Sequence, residues 1–235
     1  MIELFFGDKY DSFNVSEQSV HKVSEFFKDP QLAFVGLRMN LSHLVILKQV
    51  HGNEGVIIES KNNLQNMLIR SIEGDFLITN QKGVGLGLLT ADCLPLIFYD
   101  SRNQIIAAVH AGWKGSVLGI SKKVVTHLIK NFHTDVQFLK VFFGPAARVC
   151  CYEVSEHFYN NALHDTLFQK SIIKRNDRFY FDNGAYNTAQ LFECGILKDA
   201  ICYEQYVCTI CSESFCSYRK EQSAQTRNVT VVSLK

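Results

Sequence analysis

Three reactive side chains, each next to an apolar segment, constrain this fold more than any other feature of the sequence. His51 follows LKQV, Cys93 precedes LPLIFYD, and His110 ends the run AAVH. Two imidazoles and one thiol(ate) suit a metal ion such as zinc that keeps one coordination position open, the pattern of a catalytic rather than a structural site. Because the three segments are well separated in the sequence, a metal site requires the fold to bring them together.

Each of these residues also has a simpler interpretation. His51 could be a loop histidine bonded to backbone, Cys93 a packed core thiol, and His110 the end of a plain strand-to-helix turn. Asp92, beside Cys93, favours a functional site, because a carboxylate in an apolar stretch is costly unless it is paired. It could orient a ligating histidine or move protons as a general base.

Polar side chains around these segments are candidate substrate contacts. Gly112 and Gly115 permit a tight turn at a helix start, where backbone N–H groups can hold an anion and Lys114 could add a positive charge. An arginine forks onto oxyanions, and a tyrosine can stack on a base, although solvated and core roles are commoner for each one alone. The candidates for substrate or phosphate binding are Gln49, Lys114, Arg148, Tyr152, Arg219 and Arg227.

Composition sets the broad class of protein. The 235 residues are 47% hydrophobic and 20% charged, values that predict one globular domain over residues 1–235. The net charge of +1 with scattered basic residues argues against a nucleic-acid surface. No signal peptide or long apolar segment is recognisable, so we expect a cytoplasmic protein without a membrane partner. A monomer and a homodimer both remain open.

The chain has 8 cysteines, and without an export signal we expect most to be reduced and buried. Cys208-x-x-Cys211, with Cys202 and Cys216, resembles half of a structural zinc site. A second well-spaced pair is missing, so the pattern is weak evidence for such a site.

Hydrophobic periodicity predicts an α/β or α+β domain in which mixed sheets are covered by helices. The predicted strands are 2–6, 44–50, 55–59, 84–90, 95–99, 104–110, 136–143, 179–181, 200–207 and 228–233. The predicted helices are 17–28, 116–131 with Ser116 as N-cap, 153–168 and 185–194.

A series of motifs in a fixed order covers nearly the whole chain: QVHG (49–52), TADCLPLIFYD (90–100), HAGWKG (110–115), GP…CCYEV (144–154), CT (208–209), SYRK (217–220) and TR (226–227). The series resembles the YfiH-like laccase-domain family, whose members are described as polyphenol oxidases and as purine nucleoside phosphorylases. The resemblance implies a four-layer α/β/β/α sandwich and a zinc site made by His51, Cys93 and His110. It also implies phosphorolysis of adenosine, inosine and S-methyl-5'-thioadenosine, with adenosine deamination as a side activity. The chain departs from the family pattern at Ala147-Arg148-Val149-Cys150, where members usually have a Gly-Pro-Cys stretch, and at Gln225-Thr226-Arg227, where they usually have TGR. It also carries extra cysteines near SYRK.

Three enzymatic functions fit these residues. The first is the zinc-dependent nucleoside phosphorylase; the H-x-E and P-C-x-x-C signature of nucleobase deaminases is absent, so deamination would depend on Asp92 for proton transfer. The second is a copper-dependent polyphenol oxidase, since two histidines and a cysteine also suit copper, but multicopper clusters need histidine pairs and none of the 8 histidines forms H-x-H. The third is a hydrolase of cell-wall precursors with Cys93 as nucleophile and His110 as base. A non-catalytic binding module ranks last.

Overall fold

The computed structural model describes residues 1–15, 21–222 and 225–235. Its strands are β1 (Ile2–Phe6), β2 (Phe13–Asn14), β3 (His43–Ile46), β4 (Gly55–Ile58), β5 (Phe76–Thr79), β6 (Val84–Thr90), β7 (Leu94–Asp100), β8 (Ile105–Ala111), β9 (Leu139–Phe143), β10 (Glu153–Val154), β11 (Ile172–Arg175), β12 (Arg178–Phe181), β13 (Ile201–Cys202) and β14 (Thr226–Leu234). Its α-helices are α1 (Ala33–Met39), α2 (Trp113–Val117), α3 (Ile120–Phe132), α4 (Glu156–Asn161), α5 (Thr166–Lys170), α6 (Asn183–Glu193) and α7 (Tyr218–Glu221). Short 3-10 helices span Lys9–Asp11, Val23–Lys28, Lys61–Leu64, Val136–Phe138, Ala162–His164 and Lys198–Ala200.

The described strands form three sheets. A five-stranded sheet has the order β1-β14-β6-β3, with β2 also against β14, and its β3–β6 pair is parallel. A six-stranded sheet has the order β13-β9-β7-β8-β5-β4, with parallel pairs at both ends. The third, β10-β12-β11, is small and antiparallel. The predicted mixed α/β fold is therefore confirmed.

The apolar runs of the sequence become strands that are covered on both faces. Every residue of Val84–Thr90 and of Ile105–Ala111 is buried. One core lies between the two large sheets, where Leu86 packs in the same cluster as Ile106. A second core lies on the other face of the six-stranded sheet, where Val109 shares a cluster with Val124 of α3. Burial on both faces explains why these strands read as continuous apolar runs without alternation.

The predicted helix over 116–131 is wrong in its start. Gly119 has a φ of 76°, which a residue without Cβ adopts at little cost, and it separates α2 from α3. Ser116 therefore lies inside α2 and is not an N-cap; its hydroxyl accepts a hydrogen bond from Asn187 Nδ2 at 2.9 Å.

Other boundaries also differ from the predictions. The segment predicted as one helix over 153–168 contains β10, α4 and α5, because Ser155 and Asp165 each accept a backbone N–H and begin a new helix. The strands predicted over 44–50 and 200–207 are shorter, ending at Ile46 and Cys202. Of the helix predicted over 17–28, residues 17–20 lie outside the described part and Val23–Lys28 is a 3-10 helix. The sequence did not predict α1, α7, β2, β5 or β11. Among the described residues, no helix has the length and apolar character needed to cross a membrane.

Candidate metal centre and active site

The fold brings His51, Cys93 and His110 together. His51 follows β3 in a turn with a φ of 62°, Cys93 lies between β6 and β7, and His110 belongs to β8. One ligand atom of each lies within 4.8 Å of the others, and the two imidazole ring centroids are 4.8 Å apart. Zinc binds nitrogen at about 2.0 Å and sulfur at about 2.3 Å. Small side-chain movements would therefore let all three donors reach one ion.

A buried carboxylate that the sequence analysis missed, Asp75, supports two of the three. Its Oδ1 lies 2.7 Å from His110 Nδ1 and accepts the backbone N–H of His51 at 3.0 Å, and its Oδ2 accepts that of Gly52 at 2.7 Å. A carboxylate on Nδ1 fixes the imidazole's orientation and leaves Nε2 as the ligand atom, the arrangement found behind metal-binding histidines. Asp75 precedes β5, a strand the sequence did not predict; the available signal was an acidic residue directly before the apolar run FLIT.

The metal-free site holds a charged pair. Burial raises the pKa of the Cys93 thiol, but the charge of His110 and hydrogen bonds from both histidines outweigh it and lower that pKa to about 6. Burial lowers the pKa of His110, but the Cys93 thiolate and Asp75 raise it to about 9. Between these values the pair is a thiolate and an imidazolium. A divalent cation would replace the proton of the imidazolium, and the Cys93 sulfur would already be ionised to bind it.

Asp92 has a different environment from the one first expected. It adopts a φ of 83°, and its two oxygens accept hydrogen bonds from the Thr209 hydroxyl at 2.6 Å and the backbone N–H of Arg219 at 2.8 Å. The carboxylate that orients a histidine is therefore Asp75, while Asp92 connects the centre to Thr209 and to Arg219 at the start of α7. Both bonds fix the position of the Asp92 carboxylate beside the cavity.

The three candidate ligands open into a cavity of about 400 Å³. Of the predicted substrate contacts, Gln49, Tyr152, Arg219 and Arg227 line it, and the Arg219 guanidinium lies 4.4 Å from the Tyr152 ring centroid. The Gln49 amide is already used: it donates to the Leu89 carbonyl and accepts from the Leu89 N–H, both at 2.8 Å.

Two predicted contacts lie elsewhere. Arg148 lines a separate cavity, where its guanidinium donates to the Tyr206 carbonyl at 3.1 Å. Lys114 is exposed, and its ammonium lies 5.7 Å from the Trp113 ring centroid. The glycines beside Lys114 are needed for close packing: a Cβ on Gly115 would lie 2.6 Å from the Gly52 carbonyl oxygen, and one on Gly112 would lie 3.2 Å from Cys93 Sγ.

Arg70 is a further cavity residue that the sequence analysis missed. It donates to the Val15 carbonyl at 3.2 Å, and burial together with the charge of Arg227 lowers its pKa. Two guanidinium groups that repel each other in one cavity indicate an anion-binding region. Trp113 and Tyr218 also line the cavity. In the sequence Arg70 stands in a turn without a motif, so no local signal distinguished it.

Comparison with known proteins places these observations in a family. Residues 6–235 match the family described as multi-copper polyphenol oxidoreductase laccase. A purine nucleoside phosphorylase of Borreliella burgdorferi is 35% identical over 77% of this chain and 75% of its own length. One from Aquifex aeolicus is 37% identical over 69% of this chain and 72% of its own length. An adenosine deaminase, RL5, from an unknown prokaryotic organism is 30% identical over 78% of this chain and 72% of its own length.

Solved structures show the same fold. The hypothetical protein YfiH of Bacillus licheniformis superposes with a TM-score of 0.84 over 100% of this chain and 93% of that chain, at 23% identity. YlmD of Geobacillus stearothermophilus superposes with a TM-score of 0.78 over 100% and 92%, at 25% identity. Sequence and fold together confirm the resemblance drawn from the motifs: the chain belongs to the YfiH-like laccase-domain family.

Proposed function

We propose that this protein is a zinc-dependent purine nucleoside phosphorylase that cleaves adenosine, inosine and S-methyl-5'-thioadenosine with phosphate. The observation that carries the proposal is the opening of the His51, Cys93 and His110 ligand set into a cavity lined by arginines and aromatic rings. The relatives named as purine nucleoside phosphorylases support the same reaction.

The arginines suit the phosphate. Arg70, Arg219 and Arg227 line one cavity, and a dianion would relieve the repulsion between Arg70 and Arg227. Each guanidinium can donate two parallel hydrogen bonds to phosphate oxygens. Their positive charge would hold the phosphate beside the ribose while its glycosidic bond breaks.

Aromatic rings suit the purine. Tyr152 is buried under the Arg219 guanidinium, whereas Trp113 and Tyr218 expose their rings at the cavity. A purine could stack on the exposed rings, since aromatic side chains bind bases by stacking and need few polar contacts to do so. The cavity volume of about 400 Å³ lies in the range of sites for small ligands.

The donor set fits zinc, because two imidazoles and a thiolate with a carboxylate behind one imidazole are typical of zinc centres. A zinc ion held there would supply Lewis-acid chemistry towards an oxygen of the substrates. Asp75 holds His110 in orientation. Asp92 lines the cavity, and in this proposal it accepts or returns a proton. We also propose adenosine deamination as a side activity, supported by the relative named adenosine deaminase.

A cysteine hydrolase is the second candidate, favoured by one observation. Cys93, His110 and Asp75 form a continuous series of thiol, imidazole and carboxylate, the order found in thiol hydrolases. His51 on the other side of the same sulfur favours a metal instead. Copper oxidation of phenols ranks below both, because one ligand set with two histidines does not make a multicopper cluster.

The finer arrangement of the fold is also proposed. We propose a four-layer α/β/β/α sandwich. The core between the two large sheets supports its inner layers. The packing of α3 and α6 on the six-stranded sheet supports one outer layer. The packing of α1 residues into the first core supports the other outer layer.

The decisive assay incubates the purified protein with adenosine or inosine, with and without phosphate. Free base should appear only with phosphate, ribose 1-phosphate should accumulate, and a zinc chelator should abolish both until zinc is restored. Base release without phosphate would make the protein a hydrolase. Activity that resists chelation but is lost on thiol alkylation would establish the Cys93 nucleophile instead.

A further inference from the structure

Four cysteines converge at the surface, away from the ligand set described above. They are Cys150, Cys151, Cys208 and Cys211, and their sulfur atoms all lie within 4.8 Å of one another. Cys211 Sγ is 2.9 Å from Cys151 Sγ and 3.5 Å from Cys150 Sγ. In a tetrathiolate zinc site with Zn–S bonds of about 2.3 Å, sulfur atoms lie about 3.8 Å apart. Both of these distances are shorter than that value, and 4.8 Å is the upper limit for the other pairs, so small side-chain movements would give the tetrahedral spacing.

The backbone, not chance side-chain rotation, brings the four thiols together. The segment after β9 and the segment before α7 run side by side, with the Ala146 N–H donating to the Val207 carbonyl and the Thr209 N–H donating to the Ala146 carbonyl, both at 3.0 Å. The Cys151 N–H closes a turn on the Arg148 carbonyl at 2.9 Å, which lets two consecutive cysteines face one point.

The cluster also has features of a ligand set. Each of the four residues offers one sulfur atom, and cysteine sulfur is the donor in closed zinc sites. The Arg175 guanidinium donates to the carbonyls of Val149 and Cys150 and so holds the backbone that carries the first two cysteines. All four residues are free cysteines in the structure.

We propose that Cys150, Cys151, Cys208 and Cys211 bind a second zinc ion in a closed, structural site. Four thiolates fill the tetrahedral coordination of zinc and leave no position for substrate, which is the pattern of structural sites. The sequence had paired Cys208 and Cys211 with Cys202 and Cys216, but the structure places Cys202 in β13 and Cys216 beside Asn228, where its N–H donates to the side chain at 2.9 Å.

The second zinc would connect the two segments that form one wall of the substrate cavity. The first segment leads to Tyr152, and the second carries Thr209, which holds Asp92, and leads to Arg219. In the protein chain itself, these segments are joined by backbone hydrogen bonds and by the Arg148 guanidinium, which lies 4.8 Å from the Tyr206 ring centroid. We expect the zinc to fix the position of the Arg219 and Tyr152 pair.

Metal content measured on full-length protein tests the site. The wild type, purified in the presence of zinc and freed of excess, should contain two zinc ions per chain. The His51→Ala/His110→Ala variant should retain one, and adding Cys208→Ser/Cys211→Ser should remove it. Cys194→Ser, which changes a half-buried free thiol outside the cluster, should leave the zinc content unchanged.

Cobalt substitution covers the case in which the cysteine variants fail to fold. The His51→Ala/His110→Ala variant loaded with Co²⁺ should show intense thiolate-to-cobalt charge transfer and the visible bands of a tetrahedral site. No bound metal and no such bands in that variant, or a disulfide between Cys151 and Cys211 found by mass spectrometry in freshly purified protein, would overturn the proposal. Neither readout involves nucleosides, so the phosphorylase proposal could fail independently.

Discussion

Replacing Asp75 with asparagine removes the charge behind His110 while preserving the size of the side chain. The carboxylate accepts from His110 Nδ1 and from the backbone N–H groups of His51 and Gly52. An asparagine has one NH₂ group in place of an oxygen, so whichever way the amide turns, at least one N–H donor meets another donor. The side chain is fully buried, and water cannot compensate for the lost acceptor.

The size of the effect follows from these contacts. Loss of a carboxylate that supports a metal-binding histidine weakens metal affinity by about 10- to 100-fold. That factor corresponds to about 1.4 to 2.7 kcal/mol. A buried donor left without an acceptor lowers the free energy of unfolding of the metal-free protein by about 1 to 3 kcal/mol. We therefore expect Asp75→Asn to be folded but less stable, with phosphorylase activity that excess zinc partly restores.

A competition titration with a chromophoric chelator measures the zinc affinity of the His51, Cys93 and His110 set in Asp75→Asn. Asp100→Asn is the matched control, because Asp100 is also fully buried and accepts the N–H groups of Arg102 at 2.9 Å and Asn103 at 3.0 Å, in a turn at the far end of β7. Asp100→Asn should lose stability without losing zinc affinity. Equal zinc dissociation constants for the two variants would refute the role assigned to Asp75.

Three further predictions follow from the same geometry. Gly112→Ala should weaken zinc binding, because its Cβ would lie 3.0 Å from His51 Cδ2 and 3.2 Å from Cys93 Sγ. The chain should still fold, since the φ of −65° at Gly112 suits alanine. An unchanged zinc affinity would show that the added Cβ does not displace the two ligands. In metal-free protein, alkylation of Cys93 should be fast above pH 6 and should slow as the pH falls through about 6, because the thiolate is protonated there. An ordinary thiol loses reactivity already below about 8.5. Mass spectrometry of the modified peptide measures the rate, and a midpoint near 8.5 would show that the imidazolium is not formed. Arg227→Ala should raise the KM for phosphate about 10- to 100-fold, because it removes a hydrogen bond to a charged group. Arg148→Ala, in the separate cavity, should leave that KM unchanged. Equal effects of the two variants in steady-state kinetics would show that phosphate does not bind in the cavity that Arg227 lines.

The sequence by itself determined the elements that depend on local patterns. Strands such as β6 and β8 are buried throughout, so their apolar runs marked them directly, and the ends of such runs marked Cys93 and His110. The order of the motifs identified the family. Close packing around Gly112 and Gly115 limits which residues fit there, and this makes the motif HAGWKG specific.

Only the tertiary structure decided which distant groups meet. Asp75 supports His51 and His110 because β5 lies beside β8 in the sheet, and nothing in the residues around Asp75 indicates that pairing. Cys208 and Cys211 lie beside Cys150 and Cys151 because the segments after β9 and before α7 are hydrogen-bonded side by side. Cys202 and Cys216 are not part of this group. The physical reason is the same in both cases: local preference sets where an element begins and ends, whereas burial of its faces and pairing of its backbone set its neighbours, and those depend on the whole chain.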